Sequence, residues 1–448
     1  MDILEKIREA GIVGAGGAGF PTNVKLNCKV DYFIVNGLEC EPLLQTDKYI
    51  MRNFSEEIVY VAEEIGKLVE AKNVYIGLKK EYKKEIDALS KAISEWNSNV
   101  KLKLLDVFYP AGDEQTLVYE VTGKIIPPGG IPLNVGAVVS NVTTLFNIYN
   151  AIVNDDPVTE KFVTVIGEVN SPSIIKVPIG TSVLECIDAA GGAKIKDYGV
   201  IMGGPMMGKK LGSDEIKKRY IKKVDGGIIV LPSKHYLFNK ENISIEEMKK
   251  QARAACIQCH YCTELCPRHL LGHPINPHKI MRSVALGIDN EEVYKEALIC
   301  CECGVCEMFA CPMMLSPKKM NIYVKGLMRE KGVRWENKSK NFLPSPMKEY
   351  RKIPTDRLIV RLDLNRYKNQ NIIEDKCYEP KTVEIDMLQH IGATAKPCVS
   401  LYDEVHKNQK IGEIQEGKLG ANIHASIDGT VTFVDNTKIV INVKEGGL

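Results

Sequence analysis

Two cysteine runs, CIQCHYCTELCP (256–267) and CCECGVCEMFACP (300–312), decide how the central part of this chain folds. In each run three cysteines recur at every third residue, and a further cysteine stands directly before a proline. Three thiolates at this spacing converge from a single loop, and the cysteine before proline ligates the other cluster in two-cluster iron–sulfur proteins. The runs therefore predict a domain built around two [4Fe–4S] clusters.

The same pattern predicts the ligands of each cluster. The first cluster is expected to take Cys256, Cys259, Cys262 and Cys311, and the second Cys266, Cys300, Cys303 and Cys306. The second run has four residues rather than three before its last cysteine, and Cys301 is an additional thiol within it. Two zinc sites are the alternative, but zinc favours two separated Cys-x-x-Cys pairs, so the spacing favours iron–sulfur clusters.

The composition limits the class of protein around this domain. The chain has 448 residues, 59 Lys and Arg against 57 Asp and Glu, a net charge of +2, and 14 cysteines. The length suggests about three domains, and the near-neutral charge excludes a global field for nucleic acid. No run approaches the ~18 apolar residues of a membrane-spanning helix, and the charged N-terminus does not resemble a secretory signal. We therefore expect a cytoplasmic protein whose cysteines serve metal or redox chemistry.

Changes in hydrophobic patterning divide the chain into segments. Apolar strands alternate with helices through about residue 150, which predicts a parallel sheet covered by helices. Short β runs follow, then a helical stretch that holds the cysteines, and finally short β runs broken by Gly, Asn and Asp. The predicted segments are an α/β domain (1–156), a β-grasp domain (157–236), a helical two-cluster insert (245–330), a connector (331–384) and an all-β tail (385–448).

A glycine-dense loop, GIVGAGGAGFPTNVKL (11–26), lies near the start of the first domain. Closely spaced glycines let backbone N–H groups approach a phosphate, and the N-terminus of a helix adds its dipole. The loop follows a predicted helix rather than a strand, and it lacks the GK[ST] of a P-loop, so it fits neither dinucleotide motif. A flexible N-terminal turn is the alternative interpretation.

Three polar motifs strengthen the interpretation as a binding loop. NGLECEP (36–42), YPAGDEQT (109–116) and SNVTT (140–144) each follow an apolar strand. Ligands of open α/β sheets bind beyond the carboxyl ends of the strands, so these motifs point toward one crevice. Any one of their acidic residues could instead cap a helix.

The motifs GAGGAGFPT, NGLECEP, GDEQT and NVTT resemble those of the FMN- and NADH-binding subunit of respiratory complex I and its relatives. These relatives are the RnfC component of the Rnf electron-transport complex and the cobalamin reductases of propanediol-utilising microcompartments. The resemblance implies a multidomain α/β protein: an FMN-subunit-like α/β domain, an SLBB β-grasp domain, a helical two-[4Fe–4S] ferredoxin insert and a barrel-sandwich hybrid tail. Because the tail follows the flavin domain instead of preceding it, the domain order looks most like the cobalamin-reductase branch.

The resemblance also implies which residues bind the cofactors. Those expected to contact FMN or to orient the nucleotide are Gly14, Gly16, Gly17, Lys25, Asn36, Glu39, Gly112, Asp113, Glu114, Asn141 and Thr144, and those expected near the nicotinamide are Phe20 and Glu41. The sequence departs from the complex I pattern at Ala15, Leu38 and Ser140, which affects the expected NADH donor more than FMN. No residue is assigned a catalytic role.

The implied function is electron transfer from NADH through FMN and two [4Fe–4S] clusters, with cobalamin as the favoured acceptor. The alternatives are an Rnf-type component that relays electrons between NAD(H) and ferredoxin or membrane partners, and a non-redox zinc scaffold. Expected partners are NAD(H), a corrinoid or a corrinoid-binding acceptor protein, and microcompartment or membrane-complex subunits, with no nucleic acid. The expected location is the cytoplasm, the interior of a bacterial microcompartment, or the periphery of the inner membrane.

The tail also resembles the lipoyl and biotinyl carrier modules. Those carriers present a lysine at a hairpin turn, which corresponds here to Asp428-Gly429. No lysine stands at that turn, so we expect an unmodified domain with a structural or docking role.

Overall fold

The N-terminal unit is a four-stranded parallel sheet covered by helices. The computed structural model describes residues 2–337 and 341–444. The strands of this sheet are β1 (Tyr32–Asn36), β2 (Asn73–Lys79), β3 (Lys101–Leu105) and β5 (Ala137–Asn141), and their order is β3-β2-β1-β5. A further short strand, β4 (Phe108–Tyr109), lies outside it. The helices are α1 (Ile3–Glu9), α2 (Thr22–Leu26), α3 (Thr46–Asn53), α4 (Ser55–Leu68), α5 (Lys83–Glu95), α6 (Glu114–Thr122) and α7 (Val142–Val153). The central strand β1 is buried on both faces, as apolar runs in parallel sheets are.

The β-grasp unit is a mixed sheet with three short helices. Its strands are β6 (Glu160–Gly167), β7 (Ser173–Pro178), β8 (Tyr198–Met202), β9 (Lys209–Leu211) and β10 (Gly227–Pro232). Its helices are α8 (Val183–Ala189), α9 (Ser213–Ile216) and α10 (Tyr236–Glu241). Ser182 and Glu185 form a capping box that starts α8, and α8 buries Val183, Cys186 and Ile187 in the domain core. Cys186 is therefore a packing residue of this core.

The cysteine-bearing segment is helical, as its periodicity predicts. Its helices are α11 (Ile245–Ala255), α12 (Tyr261–Glu264), α13 (Pro267–Leu270), α14 (Pro277–Leu286), α15 (Glu291–Lys295) and α16 (Pro317–Glu330). Pro267, Pro277 and Pro317 each open a helix, where the missing N–H of proline would be unsatisfied in any case. Short helices with proline starts leave the intervening cysteine loops free to turn inward.

The segment between the cysteines and the tail is folded onto two other units. It contains β11 (Ile353–Pro354), α17 (Thr355–Arg361) and β12 (Ile373–Cys377). Strand β11 pairs antiparallel with β4 of the first unit, and β12 adds a parallel edge strand beside β7 of the β-grasp sheet. Because of this pairing, β3 and β4 belong to different sheets although only two residues separate them.

The tail forms two small antiparallel sheets. Its strands are β13 (Thr382–Asp386), β14 (Lys396–Pro397), β15 (Glu404–Val405), β16 (Lys410–Glu413), β17 (Ile423–His424), β18 (Gly429–Val434) and β19 (Lys438–Asn442). Strand β13 crosses the predicted boundary between residues 384 and 385. Residue 1 of the predicted first domain, residues 338–340 of the predicted connector and residues 445–448 of the predicted tail lie outside the described residues.

A buried lysine joins three of these units. The Lys223 ammonium donates to the carbonyls of Gly11 and Asn422, each at 2.7 Å, and so links the β-grasp unit to the glycine loop and to the tail. Burial lowers the pKa of Lys223 to about 7.

None of the helices in the described part of the chain combines the length and the apolar character that spanning a membrane requires.

Candidate flavin and iron–sulfur sites

The glycine loop is tied to the start of helix α7. The Ala15 N–H donates to Thr144 Oγ1 at 3.0 Å, and the Gly14 N–H donates to the Phe20 carbonyl at 3.0 Å, which closes the loop on itself. A Cβ on Gly16 would lie 2.9 Å from the Asn141 side chain, whereas a Cβ on Gly17 would meet no atom within 4 Å. The loop thus offers backbone amides and open space beside a helix N-terminus, a set that suits a phosphate.

Asn141 and Thr144 both lie at that helix start, but Asn141 has a second role. Its side chain accepts from the Thr143 N–H at 2.8 Å, which caps α7, and donates to Asp47 at 2.8 Å. Asp47 also accepts from the Thr143 hydroxyl at 2.9 Å. Sequence reasoning missed Asp47, which follows the polar motif at 36–42 by only five residues.

Asn36 and Gly112 form one wall of the crevice. The Asn36 amide donates to the Gly112 carbonyl at 2.9 Å and its oxygen accepts from the Leu38 N–H at 3.0 Å. The Gly112 N–H points at Cys40 Sγ, 2.6 Å away, and a Cβ on Gly112 would lie 2.6 Å from the Leu38 carbonyl oxygen. The structure brings the two strand-end loops together, with the Asn36 side chain engaged by backbone groups.

Glu39 follows Asn36 in the same strand-end loop and lies among charged neighbours. Its carbonyl accepts from the Lys79 ammonium at 2.9 Å and from the Tyr82 hydroxyl at 3.1 Å. Burial raises the pKa of the Glu39 carboxyl to about 8, and the neighbouring Asp47 adds to this rise. A carboxyl that is largely protonated at neutral pH can donate a hydrogen bond toward a bound ligand.

Glu41 faces the β-grasp unit. One of its oxygens accepts from the Met206 N–H at 2.9 Å, and a Cβ on Gly204 would lie only 2.0 Å from that oxygen. The other oxygen is buried without a hydrogen-bond partner among the described residues, and burial raises the pKa of Glu41 to about 7. The structure therefore puts this residue, expected near the nicotinamide, at the boundary of two domains.

Asp113 and Glu114 begin helix α6 and face different neighbours. Asp113 caps the helix through the Thr116 N–H at 3.1 Å and forms a buried ion pair with Arg268. Burial would raise the pKa of Asp113, but the Arg268 guanidinium and the Thr116 hydrogen bonds hold it below its usual value. Both oxygens of Asp113 are thus engaged away from the crevice, at the boundary with the cysteine-bearing domain.

Lys25 and Glu114 form a partly exposed ion pair of 2.8 Å. Phe20 is also at the surface, with 37% of its side chain exposed.

Arg268, the partner of Asp113, was missed in the sequence analysis, although its position directly after Cys266-Pro267 is a usable signal.

The eight predicted cluster ligands line two separate cavities. Cys256, Cys259, Cys262 and Cys311 line one, which we call the Cys256 cavity. Cys266, Cys300, Cys303 and Cys306 line the other, the Cys300 cavity, and Cys301 lies there as well. The last cysteine of each run reaches the cavity of the other run. Four soft thiolate donors around one small cavity fit an iron–sulfur cluster.

The longer spacing of the second run has a local explanation. Residues Cys306–Ala310 form a single π-helical turn, in which each turn holds an extra residue. In the first run, the corresponding segment is the α-helical turn of α12. The wider turn accommodates the fourth residue between Cys306 and Cys311, so both runs deliver their last cysteine across the domain.

The Cys300 cavity lies beside the N-terminal unit, which is the flavin-type domain. The Tyr109 hydroxyl donates to the Cys303 carbonyl at 2.8 Å, and the Lys318 ammonium donates to the Met206 carbonyl at 2.9 Å. The ion pair between Arg268 and Asp113 adds a third link beside Cys266. The N-terminal unit and the β-grasp unit therefore both contact the cysteine-bearing domain beside this cavity.

The Cys256 cavity lies on the outer side of the domain. Ile257 and Met313, which line it, are 62% and 42% exposed. The rings of His260 and His278 stack beside it with centroids 4.1 Å apart, and the Thr263 hydroxyl is 2.7 Å from His278 Nδ1. The structure therefore orders the two cavities, with one adjoining the flavin-type domain and the other near solvent.

Comparison with protein families divides the chain into four matched regions. Residues 7–150 match the Nuo51 FMN-binding domain, 162–210 the SLBB domain, 255–316 the 4Fe-4S dicluster domain and 362–445 the RnfC barrel sandwich hybrid domain. These matches confirm the predicted multidomain α/β fold class and its set of cofactors, FMN and two [4Fe–4S] clusters. They favour the iron–sulfur interpretation over the zinc alternative.

Three relatives show how far the likeness extends. The chain is 38% identical over 98% of its length to the cobalamin reductase PduS of Citrobacter freundii, covering 96% of that protein. It is also 38% identical to the cobalamin reductase PduS of Salmonella typhimurium, over 98% of this chain and 96% of that protein. A component of the proton-translocating ferredoxin:NAD(+) oxidoreductase complex of Clostridium ljungdahlii is 36% identical over 66% of this chain and 60% of that protein.

Proposed function

Since this chain belongs to the cobalamin reductase PduS family, we propose that it is the reductase that transfers electrons from NADH to cobalamin. The chain is a flavin and iron–sulfur oxidoreductase, because its domains are those of an FMN-binding protein and a 4Fe-4S dicluster protein. The acceptor assignment rests on one observation, the 38% identity to cobalamin reductases over 98% of the chain.

The glycine loop and the strand-end loops would hold FMN. The Gly16 and Gly17 amides and the start of α7 suit its phosphate, and Asn36, Glu39 and Gly112 border the crevice beside them. FMN, when bound, accepts two electrons as hydride and releases them singly. Lys25 is proposed beside the FMN site, and Phe20 and Glu41 are the residues we propose nearest to the entering dinucleotide.

The cysteines of the two cavities would hold the clusters. A [4Fe–4S] cluster, when bound, takes up and releases one electron at a time. The chain contributes the thiolates and the contact between the Tyr109 hydroxyl and the Cys303 carbonyl, which fixes the Cys300 cavity against the flavin domain. This contact supports an electron path that begins in the flavin domain and ends at the outer cavity.

The test is reduction of cob(III)alamin by the reconstituted protein under anaerobic conditions. With NADH, FMN and both clusters present, the absorbance of cob(III)alamin should give way to that of cob(II)alamin. A sample lacking NADH and a sample of the Cys259→Ser variant serve as controls. A preparation with intact FMN and iron content that reduces ferricyanide but not cobalamin would overturn the acceptor assignment.

A second candidate is a relay protein that exchanges electrons between NAD(H) and ferredoxin or membrane partners. It is supported by the match to the RnfC barrel sandwich hybrid domain and by the likeness to a component of a ferredoxin:NAD(+) oxidoreductase complex over 66% of the chain. Purification from native membranes distinguishes the candidates, because a relay protein of this type should copurify with membrane subunits. Enclosure in a microcompartment predicts instead that the protein cosediments with shell particles.

A further inference from the structure

The outer surface of the Cys256 cavity combines exposed apolar side chains with exposed cations. Ile257 and Met313 line the cavity and Met314 follows them, with exposed fractions of 62%, 42% and 40%. We call these three residues the docking face. Large apolar side chains clustered at a surface mark an interaction site more often than isolated ones do.

A groove continues from the docking face along α10 and α11. Met313, Met314, Leu315, Ile243 and Ala254 contribute its apolar lining, and Lys240 and Gln251 are among its polar lining residues. It is an open depression of about 540 Å³. The apolar surface near the cavity is therefore extended, which suits a protein partner better than a small molecule alone.

Cations flank the docking face from two directions. Lys279 and Arg282 belong to helix α14, on which His278 and Met281 line the Cys256 cavity. On the other side, the Arg361 guanidinium donates to the Cys311 carbonyl at 3.1 Å and lies 3.1 Å from Met314 Sδ. The Lys279 side chain is exposed and that of Arg282 is half-buried, so the Lys279 charge in particular is open to a partner.

We propose that the docking face and its flanking cations bind an acidic electron-carrier protein. The proposal rests on the proposed function, because it assumes that electrons leave the chain at the outer cavity. With a net charge of only +2, the chain has no global field, so a local cationic surface must steer the partner. An apolar centre with charged edges is also the usual composition of protein interfaces.

Cytochrome b5, an acidic one-electron carrier, serves as the probe, and the basic cytochrome c serves as its opposite. The balanced reaction is NADH plus two ferric cytochromes giving NAD⁺, one proton and two ferrous cytochromes. The Lys279→Glu/Arg282→Glu variant should lower kcat/KM for cytochrome b5 about tenfold at low salt. The same variant should raise kcat/KM for cytochrome c.

A binding measurement provides a second readout that does not depend on turnover. The dissociation constant of the full chain for oxidised cytochrome b5 should rise by about tenfold in the variant, and its dependence on salt should become shallower. A Lys279→Gln/Arg282→Gln variant, which adds no negative charge, should give an intermediate value and covers the case that the first variant folds poorly.

Matched controls separate this proposal from the proposed function. The Lys83→Glu/Lys84→Glu variant changes the net charge by the same amount at two exposed positions of α5 in the flavin domain, and should leave both cytochromes unaffected. Ferricyanide reduction should be equal in all variants. Cytochrome b5 kinetics that respond alike to both pairs of substitutions overturn the docking face. If the protein does not reduce cobalamin, but the Lys279→Glu/Arg282→Glu variant still selectively slows cytochrome b5 reduction, only the acceptor assignment is overturned.

Discussion

Replacing Arg268 with methionine should destabilise the contact between the flavin and dicluster domains. The Arg268 and Asp113 side chains are only 8% and 14% exposed, so the substitution leaves a buried carboxylate without its cation. Removal of one partner of a buried ion pair costs about 3–5 kcal/mol. Asp113 keeps the Thr116 N–H and hydroxyl, each at 3.1 Å, and we therefore expect a loss at the lower end, about 3 kcal/mol.

Urea denaturation followed by Trp335 fluorescence measures this loss. The Trp335 ring packs against Gly129 of the flavin domain, since a Cβ on Gly129 would lie 3.1 Å from it. The chain has two tryptophans, so a Trp96→Phe background leaves Trp335 as the only indole. In a double-mutant cycle, Asp113→Asn replaces the carboxylate with a neutral amide that needs no cation. The free energy of unfolding lost in the double variant should therefore be smaller than the sum of the two single losses, by more than about 1 kcal/mol.

Acidification provides an independent check on the same pair. The pKa of Asp113 is lower in the folded protein than its ordinary value of 3.8, so the stabilisation is present at neutral pH. It is lost as the pH falls through the folded pKa, and the difference between wild type and Arg268→Met should shrink below about pH 4. A loss under about 1 kcal/mol at pH 7, or strict additivity in the cycle, would refute the reasoning.

Three further predictions test the cofactor sites. Cys259→Ser should halve the iron content because a hydroxyl is a poor iron ligand, whereas exposed Cys398→Ser should leave it unchanged; unchanged iron in both would contradict the ligand assignment. Gly16→Ala should destabilise the apoprotein by about 1–3 kcal/mol through the clash with Asn141. Gly17→Ala, with open space at its Cβ, should weaken FMN retention without affecting apoprotein stability, and equal melting losses in the two variants would argue against this interpretation. Glu41→Gln should stabilise the protein by up to about 3 kcal/mol at pH 8, since burial raises the Glu41 pKa from 4.5 to about 7 and wild type loses stability as the pH rises through that range. The difference should vanish below about pH 4.5 in urea denaturation, and a constant difference across pH would count against it.

Features that depend on near neighbours in the chain could be predicted from the sequence. The apolar runs at 32–37 and 73–78 correspond to strands β1 and β2, and the periodicity of the cysteine-bearing segment corresponds to six helices. The exchange of the last cysteine between the two runs was predicted by spacing, and the same eight cysteines line the two cavities. Their assignment as ligands remains a prediction, which the iron content of the Cys259→Ser variant tests.

Features that depend on which surfaces meet could not be predicted. The polar pattern of residues 331–384 predicted a connector, whereas β11 and β12 complete sheets of two other domains, since a strand edge is satisfied by any partner that reaches it. The resemblance implied that Asp113 contacts FMN and that Glu41 lies near the nicotinamide, and these roles stay predictions. Their oxygens also pair with Arg268 and with the Met206 N–H, more than 150 residues away along the chain, and no motif indicates those partners.

The sequence by itself determined the elements, the two sets of four cysteines and the type of cofactor, because spacing along the chain controls which side chains one loop or helix can present together. Tertiary structure alone decided that the Cys300 cavity adjoins the flavin domain while the Cys256 cavity lies near solvent. That order depends on burial and hydrogen bonds between segments far apart in the chain, such as Tyr109 and Cys303, and no local pattern encodes it.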